Sequence, residues 1–258
     1  MLAVGFALGF FGGGGGILTV PVLTYLFLLP AEAATGYSLW VVGITSLAGA
    51  LRAAFQRSVE VRAGLILLAP SMVVAFSVRR WLIPVIPDDL GRFGGITLTK
   101  NAALMLLFAG IMLVVSWRML QQRPPDHVEG VPASPQKMGL IGVAVGLLAG
   151  LVGAGGGFLV VPALVLYAQL NMKKAIGTSL MVISIQSLVG FSGEAIAKPI
   201  DWPWALQLAL VSAVGLVLGI GLGSRVNGEN LKVSFGWFVR FMGMFVLIRE
   251  GLGLFRAA

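Results

Sequence analysis

The chain has 258 residues, of which 58% are hydrophobic and only 11% are charged, and its mean hydropathy is +0.97. A typical soluble domain has about 25% charged residues, so this composition excludes a water-soluble globule and predicts an integral membrane protein. The net charge is +8, but the basic residues stand singly or in pairs between apolar runs, which is typical of membrane loops and argues against nucleic-acid binding.

Eight apolar segments follow one another along the chain, each long enough to approach or cross the membrane. They cover residues 2–29, 37–56, 62–78, 96–117, 138–170, 176–196, 203–223 and 235–255. A polar linker with four prolines over 118–137 divides a first transmembrane repeat, 1–117, from a second, 138–258. The pattern predicts an all-α, multi-pass protein of the cell (inner) membrane, whose first segment is retained because no basic region precedes it.

Reactive side chains are scarce. The chain has no cysteine, and its single histidine, His127, lies in the polar linker. This excludes disulfides and thiolate ligands, and no Ser/His, paired-carboxylate or metal-ligand cluster stands out. We therefore expect no cofactor, no metal and no enzymatic activity.

An internal repeat relates the two halves. Residues 4–49 align without a gap on residues 145–190, a shift of 141, and nearly half of the positions are identical. FFGGGGGILTVPVL falls on LVGAGGGFLVVPAL, and AATGYSLWVVGITSLAG falls on KAIGTSLMVISIQSLVG. Such repeats are typical of secondary transporters.

The orientation of the two halves depends on the glycine-broken segments. If each dips in and returns, each half crosses three times and the halves are inverted; if each crosses once, the halves are parallel. Loop 30–36 has no Lys or Arg where loop 171–177 has two, and loop 52–62 has three arginines where loop 193–203 has one lysine. Opposite charge bias in matching loops favours inversion, although loops 79–100 and 220–236 do not show it.

The two glycine clusters are the candidate binding site. Irregular backbone is tolerated within a membrane only where it is buried in protein or lines a wet cavity. Each cluster can begin a half-helix whose unpaired N–H groups attract a small anion. The candidate substrate-binding glycines are Gly12, Gly14, Gly15, Gly16, Gly153, Gly155, Gly156 and Gly157.

Helix packing is the alternative reading for glycines, and it is the one we favour for Gly5 with Gly9 and for Gly219 with Gly223. Gly13 aligns with Ala154 and is expected to be the least constrained glycine of its cluster. We expect Gly15→Leu or Gly156→Leu to abolish anion binding in a protein that still folds.

Polar side chains follow each cluster in the motifs TGYSL and IGTSL. Ser38, Ser179, Thr178 and Gln186 are candidate substrate ligands, with helix capping or interhelical hydrogen bonding as the alternatives.

Few charged residues lie within or at the ends of the spans. Arg52, Glu194, Arg249 and Glu250 are candidates for attracting an anion or carrying a proton, with snorkelling or a structural ion pair as the alternatives for Arg249 and Glu250.

The repeated pattern resembles the TauE/SafE family of sulfite and organosulfonate exporters. The first copy is Gly12, Gly14 to Gly16, Ile17, Leu18, Val20, Pro21, Ala34, Gly36, Ser38 and Leu39. The second is Gly153, Gly155 to Gly157, Phe158, Leu159, Val161, Pro162, Ala175, Gly177, Ser179 and Leu180. The resemblance implies a permease of about eight helices that moves sulfite, sulfoacetate or related anions.

Taken together, these features predict a two-repeat secondary transporter that exports small sulfur-containing anions. An anion leaving an inside-negative cell gains roughly 2.3 kcal/mol per charge per 100 mV, so export needs no coupling ion. The alternatives are a proton-coupled importer, a carrier of another small anion, an anion channel and a membrane enzyme. Its expected partners are the anionic substrate and the lipid bilayer, and the sequence leaves a homodimer open.

Overall fold

The computed structural model describes residues 1–13, 15–29, 31–87, 89–93, 96–121, 134–152, 157–197 and 200–256. In the first half, the helices are α1 (Leu2–Phe11), α2 (Gly15–Tyr25), α3 (Ala31–Phe55), α4 (Val61–Ser77), α5 (Ile83–Val85) and α6 (Lys100–Gln121). A π-helical turn, Val78–Leu82, joins α4 to α5, and two short strands, β1 (Asp89–Phe93) and β2 (Ile96–Thr99), pair antiparallel before α6.

In the second half, the helices are α7 (Pro135–Val152), α8 (Gly157–Leu166), α9 (Met172–Ala197), α10 (Trp202–Arg225) and α11 (Gly228–Arg256). Within the described residues, six helical segments are long and apolar enough to cross a membrane: α3, α4 with its π turn, α6, α9, α10 and α11. Their outward faces carry large apolar side chains, such as Leu210 and Val217 of α10, which suit contact with lipid.

One sequence prediction needs correction. The segment predicted over 96–117 begins as a strand, and its helix runs from Lys100 to Gln121, because residues 96–99 form β2, which pairs with β1. At the two ends of the predicted linker, 118–137, α6 continues to Gln121 and α7 begins at Pro135. Residues 122–133, with His127, lie outside the described part of the chain.

The broken segments form pairs of short helices. Gly15, at the start of α2, contacts the side chain of Leu8 and the carbonyl oxygen of Val4 in α1. Further along α2, Val22 packs against the cluster that holds Val4 and Leu8. These contacts fold α2 back against α1.

Glycines bring helices of different halves into close backbone contact. Gly5 of α1 lies against the carbonyl oxygen of Ser212 in α10, and Gly9 lies against that of Leu216. Both partners advance by four residues together, so α1 and α10 run parallel. Gly219 of α10 likewise contacts α1, which confirms the packing role predicted for these glycines.

The pairing of α7 with α4 repeats the same contacts at a shift of 141 residues. Gly146, the counterpart of Gly5, lies against the carbonyl oxygen of Ser71, the counterpart of Ser212. Gly150 similarly meets the carbonyl oxygen of Ala75, 3.0 Å from an added Cβ. Each of the two parallel pairs, α1 with α10 and α7 with α4, therefore contains one helix from each half.

The helices that correspond between the halves run antiparallel to each other. For α3 and α9, the contacts are Gly43 with Leu188, Gly49 with Leu180 and Gly190 with Leu39. For α6 and α11, they are Gly236 with Leu120 and Gly243 with Met112. In both pairs one residue number rises as the other falls.

Candidate functional site

The loop between α1 and α2 packs against the second half of the chain. Gly12 has a φ of 77°, a left-handed conformation that favours glycine. A Cβ added there would lie 2.8 Å from Cα of Ile176 and 2.9 Å from Oγ of Ser179. The first glycine cluster and the hydroxyl of the second repeated motif, both predicted from the sequence, are therefore neighbours.

Gly13 is more constrained than the sequence predicts. A Cβ at this position would be 2.5 Å from the carbonyl oxygen of Gly157, the first residue of α8. The sequence alignment compares Gly13 with Ala154, but the constraint comes from a residue of the other half. Among the predicted glycines, Gly14, Gly153, Gly155 and Gly156 lie outside the described residues.

The start of α2 combines a closed side and an open side. Gly15 packs against α1, whereas an added Cβ at Gly16 meets nothing within 4 Å among the described atoms. A Cβ added at the corresponding Gly157 would lie 2.9 Å from the side chain of Ile183. The first N–H groups of a helix have no intrahelical acceptors and carry partial positive charge, so the space beside Gly16 suits an anion.

The predicted hydroxyl ligands have different surroundings. Ser179 is buried beside Gly12 and donates a hydrogen bond to the carbonyl oxygen of Ile176 at 2.8 Å. Ser38, its counterpart in the first half, is also buried. Gln186 lies deeper along α9, and its Nε2 donates to Oγ of Ser71 at 2.8 Å.

Thr178 has a capping partner. Its Oγ1 accepts a hydrogen bond from the backbone N–H of Glu60, the residue before α4, at 2.9 Å. The counterpart, Tyr37, accepts one from the backbone N–H of Asp201, the residue before α10, at 3.1 Å. In each half, the residue before the repeated serine thus satisfies the start of a helix from the other half.

The predicted charged residues are not gathered at the loop. Arg52 is exposed near the end of α3, and Glu194 packs beside Gly36, 3.9 Å from an added Cβ. Arg249 and Glu250 lie near the far end of α11.

A cavity of about 200 Å³ leads from one end of the helix bundle toward the α1–α2 loop. Exposed Lys173 and Gln56 line its mouth, and Ile176 and Gly177, beside Gly12, line its wall. Lys173 Nζ donates to the carbonyl oxygen of Ser224 at 3.4 Å. The remaining lining residues are Gly9, Phe10, Gly49, Ala53, Ser58, Leu180, Ile220, Gly223, Ser224 and Leu231. No sequence pattern indicates this cavity, because the ends of five helices from both halves, α1, α3, α9, α10 and α11, build it.

Aromatic side chains fill the opposite end of the α3–α9 pair. The rings of Trp40 and Phe191 lie 5.0 Å apart, and Trp202 is 5.4 Å from Trp40. In the internal repeat, Trp40 corresponds to Met181 and Phe191 corresponds to Ala50. Both counterparts are smaller residues, and they lie at the end of the pair near the cavity. Large aromatic side chains thus fill one end of the α3–α9 pair, and the cavity opens at the other end.

A comparison with family models matches residues 1–246 to the model described as "Sulfite exporter TauE/SafE". Two relatives match nearly the whole chain. A "Probable membrane transporter protein" of Xylella fastidiosa (strain 9a5c) is 30% identical over 97% of this chain and 94% of its own length. A second, from Methanocaldococcus jannaschii, is 26% identical over 96% of this chain and 94% of its own length.

Proposed function

Since this chain belongs to the sulfite exporter TauE/SafE family and is a multi-pass membrane transporter, we propose that it exports small sulfur-containing anions such as sulfite and sulfoacetate. The observation that carries the proposal is the cavity that ends beside Gly12 in the α1–α2 loop, with Lys173 at its mouth.

The two halves act as inverted repeats in this proposal, the first within residues 1–117 and the second within 138–258. An axis in the membrane plane makes corresponding helices run in opposite directions, whereas an axis along the membrane normal makes them parallel. The antiparallel contacts of Gly43 with Leu188 and of Gly236 with Leu120 support the first arrangement. The hairpins α1–α2 and α7–α8 then enter the membrane and return.

The cavity faces the cytoplasm in this arrangement. The described basic side chains at its end of the bundle are Arg52, Arg57, Arg62, Arg118, Lys137, Lys173, Lys174, Arg225 and Lys232, and the acidic ones are Glu60 and Glu229. At the aromatic end, the described basic side chains are Arg80, Lys100 and Arg249, and the described acidic ones are Glu194, Asp201 and Glu250. Basic residues are therefore in excess only at the end that holds the cavity. An excess of Lys and Arg is typical of cytoplasmic loops.

The proposed path starts at this basic mouth. The basic side chains around the mouth raise the local anion concentration, and the anion enters the cavity as far as the α1–α2 loop. There the first N–H groups of α2, beside the open space at Gly16, replace part of the water that the anion has lost. These groups carry only partial positive charge, so they do not trap the anion as a full charge would. Release requires the Trp40–Phe191 contact at the opposite end to open.

Binding by the purified protein tests the proposed substrate. In isothermal titration calorimetry, we expect saturable binding of sulfite and sulfoacetate, with weaker binding of acetate, which has the carboxylate of sulfoacetate but no sulfonate. Lys173→Gln should weaken binding, and its difference from the native chain should grow as salt is lowered, because rim electrostatics are strongest at low ionic strength. If acetate binds as tightly as both sulfur anions, or if neither sulfur anion binds, the substrate proposal is wrong.

A further inference from the structure

Three hydroxyl groups stand out in the middle of the helix bundle. Thr45 and Ser46 lie midway along α3, and Ser212 lies midway along α10. All three residues are 0% exposed, and their hydroxyls have no hydrogen-bond partner within the described part of the chain. Burying a hydroxyl without a partner is unfavourable, so such a group indicates a missing partner.

Seven other helical serines of this protein satisfy their own hydroxyls. They donate to a carbonyl oxygen one turn earlier, in the pairs Ser71 with Leu68, Ser77 with Val73, Ser116 with Leu113, Ser179 with Ile176, Ser184 with Met181, Ser192 with Val189 and Ser224 with Gly221. The backbone offers the same local solution to Thr45, Ser46 and Ser212, which do not take it. Their hydroxyls are therefore left without a partner among the described residues, as is that of Thr24 in α2.

The internal repeat places Thr45 opposite Ser212. Thr45 corresponds to Gln186 and Ser212 to Ser71, and Gln186 Nε2 donates to Ser71 Oγ at 2.8 Å. The glutamine amide spans the gap between α9 and α4. Threonine is too short to span the corresponding gap between α3 and α10, which leaves both hydroxyls without a partner.

The register of α3 and α10 agrees with this placement. Trp40 Nε1 donates to the carbonyl oxygen of Ala205 at 3.2 Å, and Gly49 lies 3.4 Å from Leu216 at the position of an added Cβ. Thr45 lies midway between Trp40 and Gly49, and Ser212 lies between Ala205 and Leu216. The two hydroxyls are thus at the same level.

The hydroxyls also lie directly beyond the inner end of the cavity. Gly49 and Gly9 line the cavity, and one helical turn deeper come Ser46 on α3 and Gly5 on α1. Gly5 lies against the backbone of Ser212. An anion that moves inward from the cavity therefore reaches this level next.

We propose that Thr45, Ser46 and Ser212 form a hydroxyl site that donates hydrogen bonds to the oxygens of the transported anion at mid-membrane. The inference rests on the proposed function and names the side chains that take over the anion beyond the cavity. Neutral donors suit a transient site, because they replace water without trapping the anion by charge.

An anion fits this site better than a cation does. Residues 2–11, 35–55 and 202–225, the parts of α1, α3 and α10 around it, contain no Asp or Glu, and the chain has a net charge of +8. Buried cations are paired with acidic groups or held by many oxygens, and a carboxylate is missing from these three stretches.

The test uses variants of the purified full chain that remove only the hydroxyl groups. In the triple variant Thr45→Val, Ser46→Ala and Ser212→Ala, we expect the Kd for sulfite and for sulfoacetate to rise roughly tenfold or more, as expected for the loss of hydrogen bonds to a charged ligand. The melting temperature without ligand should stay equal or rise, because the orphan hydroxyls are gone. The matched control Ser184→Ala removes a hydroxyl of α9 that already has a carbonyl partner, and its Kd should not change.

A second variant covers the case in which the triple variant fails to fold. Thr45→Gln places in α3 the amide that Gln186 uses in α9, so it should bond Ser212, raise the melting temperature and weaken sulfite binding. An unchanged Kd in the folded triple variant or in Thr45→Gln would overturn the hydroxyl site while the proposed function stands. Stabilisation of the native protein by sodium chloride over choline chloride, lost in the variants, would overturn the anion assignment in favour of a cation. A native protein that binds neither sulfite nor sulfoacetate would instead refute the proposed substrate, and this inference with it.

Discussion

Replacing Gly16 by leucine should reduce sulfoacetate transport to the background of empty vesicles while leaving the protein folded. An added Cβ at Gly16 meets nothing within 4 Å among the described atoms, so the bundle tolerates the side chain. The new side chain fills the space beside the positive end of α2, where the anion is expected to approach the backbone. The measurement is radiolabelled sulfoacetate flux in proteoliposomes, together with size-exclusion chromatography of the purified variant.

Gly110→Leu is the matched control for this variant. Gly110 lies in α6, and an added Cβ there also meets no described atom within 4 Å, but it is not at the α1–α2 loop or in the cavity lining. Transport by Gly110→Leu should equal that of the native chain. If Gly16→Leu transports normally, the half-helix site is wrong.

The structure changes what to expect of Gly15→Leu. The sequence predicts a folded protein that no longer binds, but Gly15 lies against Leu8 and the carbonyl oxygen of Val4. A leucine there would push α2 away from α1, so this variant tests the hairpin and not the binding site. Gly156, the other position named from the sequence, lies outside the described residues.

Blocking the cavity should stop transport from one side of the membrane only. The native chain has no cysteine, so a single cysteine is a unique label site. Ala53 lines the cavity and is 8% exposed, and in Ala53→Cys a bulky, membrane-impermeant thiol reagent should fill the path. We expect flux to fall by roughly tenfold or more when the reagent is applied at the cytoplasmic face, and to stay unchanged when it is applied outside.

Pro87→Cys is the control for sidedness. Pro87 is exposed in the connection after α5, at the aromatic end of the bundle, and the proposed orientation places it outside the cell. The cysteine should react with the same reagent only from outside, and flux should not change. Labelling of Ala53→Cys from the outer face alone would reverse the proposed orientation.

Much of the architecture follows from the sequence, because it depends on local patterns and on the repeat. The end of α1 before Gly12, the start of α8 at Gly157, the spans and the packing role of Gly5 and Gly9 are all visible in the order of residues. The pairing of β1 with β2 is not visible in this way, since part of it has the composition of a membrane segment. Strand pairing depends on a partner, and a short apolar run does not distinguish strand from helix.

The details of the site depend on contacts between the halves, and these are not visible in either half alone. Gly13 aligns with an alanine and so looks tolerant, yet it lies against Gly157. Ser212 falls outside the aligned repeat, and only the Gln186–Ser71 hydrogen bond reveals that it should face Thr45. The sequence alone shows that Trp40 and Phe191 correspond in the repeat to the smaller Met181 and Ala50. Only the antiparallel register of α3 and α9 shows that the two large residues meet at one end of the pair and the two small ones at the other.

The proposed function requires that a sulfur-containing anion moves outward, driven by the membrane potential. The most direct test is sulfoacetate flux in proteoliposomes with an imposed potassium-diffusion potential, because both acid groups of sulfoacetate stay ionised near neutral pH. We expect saturable flux from the negative to the positive side, which rises with the potential, needs no pH gradient and persists in Glu194→Gln and Glu250→Gln. Uphill flux that requires a pH gradient and disappears in either glutamine variant would instead show proton-coupled transport and refute this proposal.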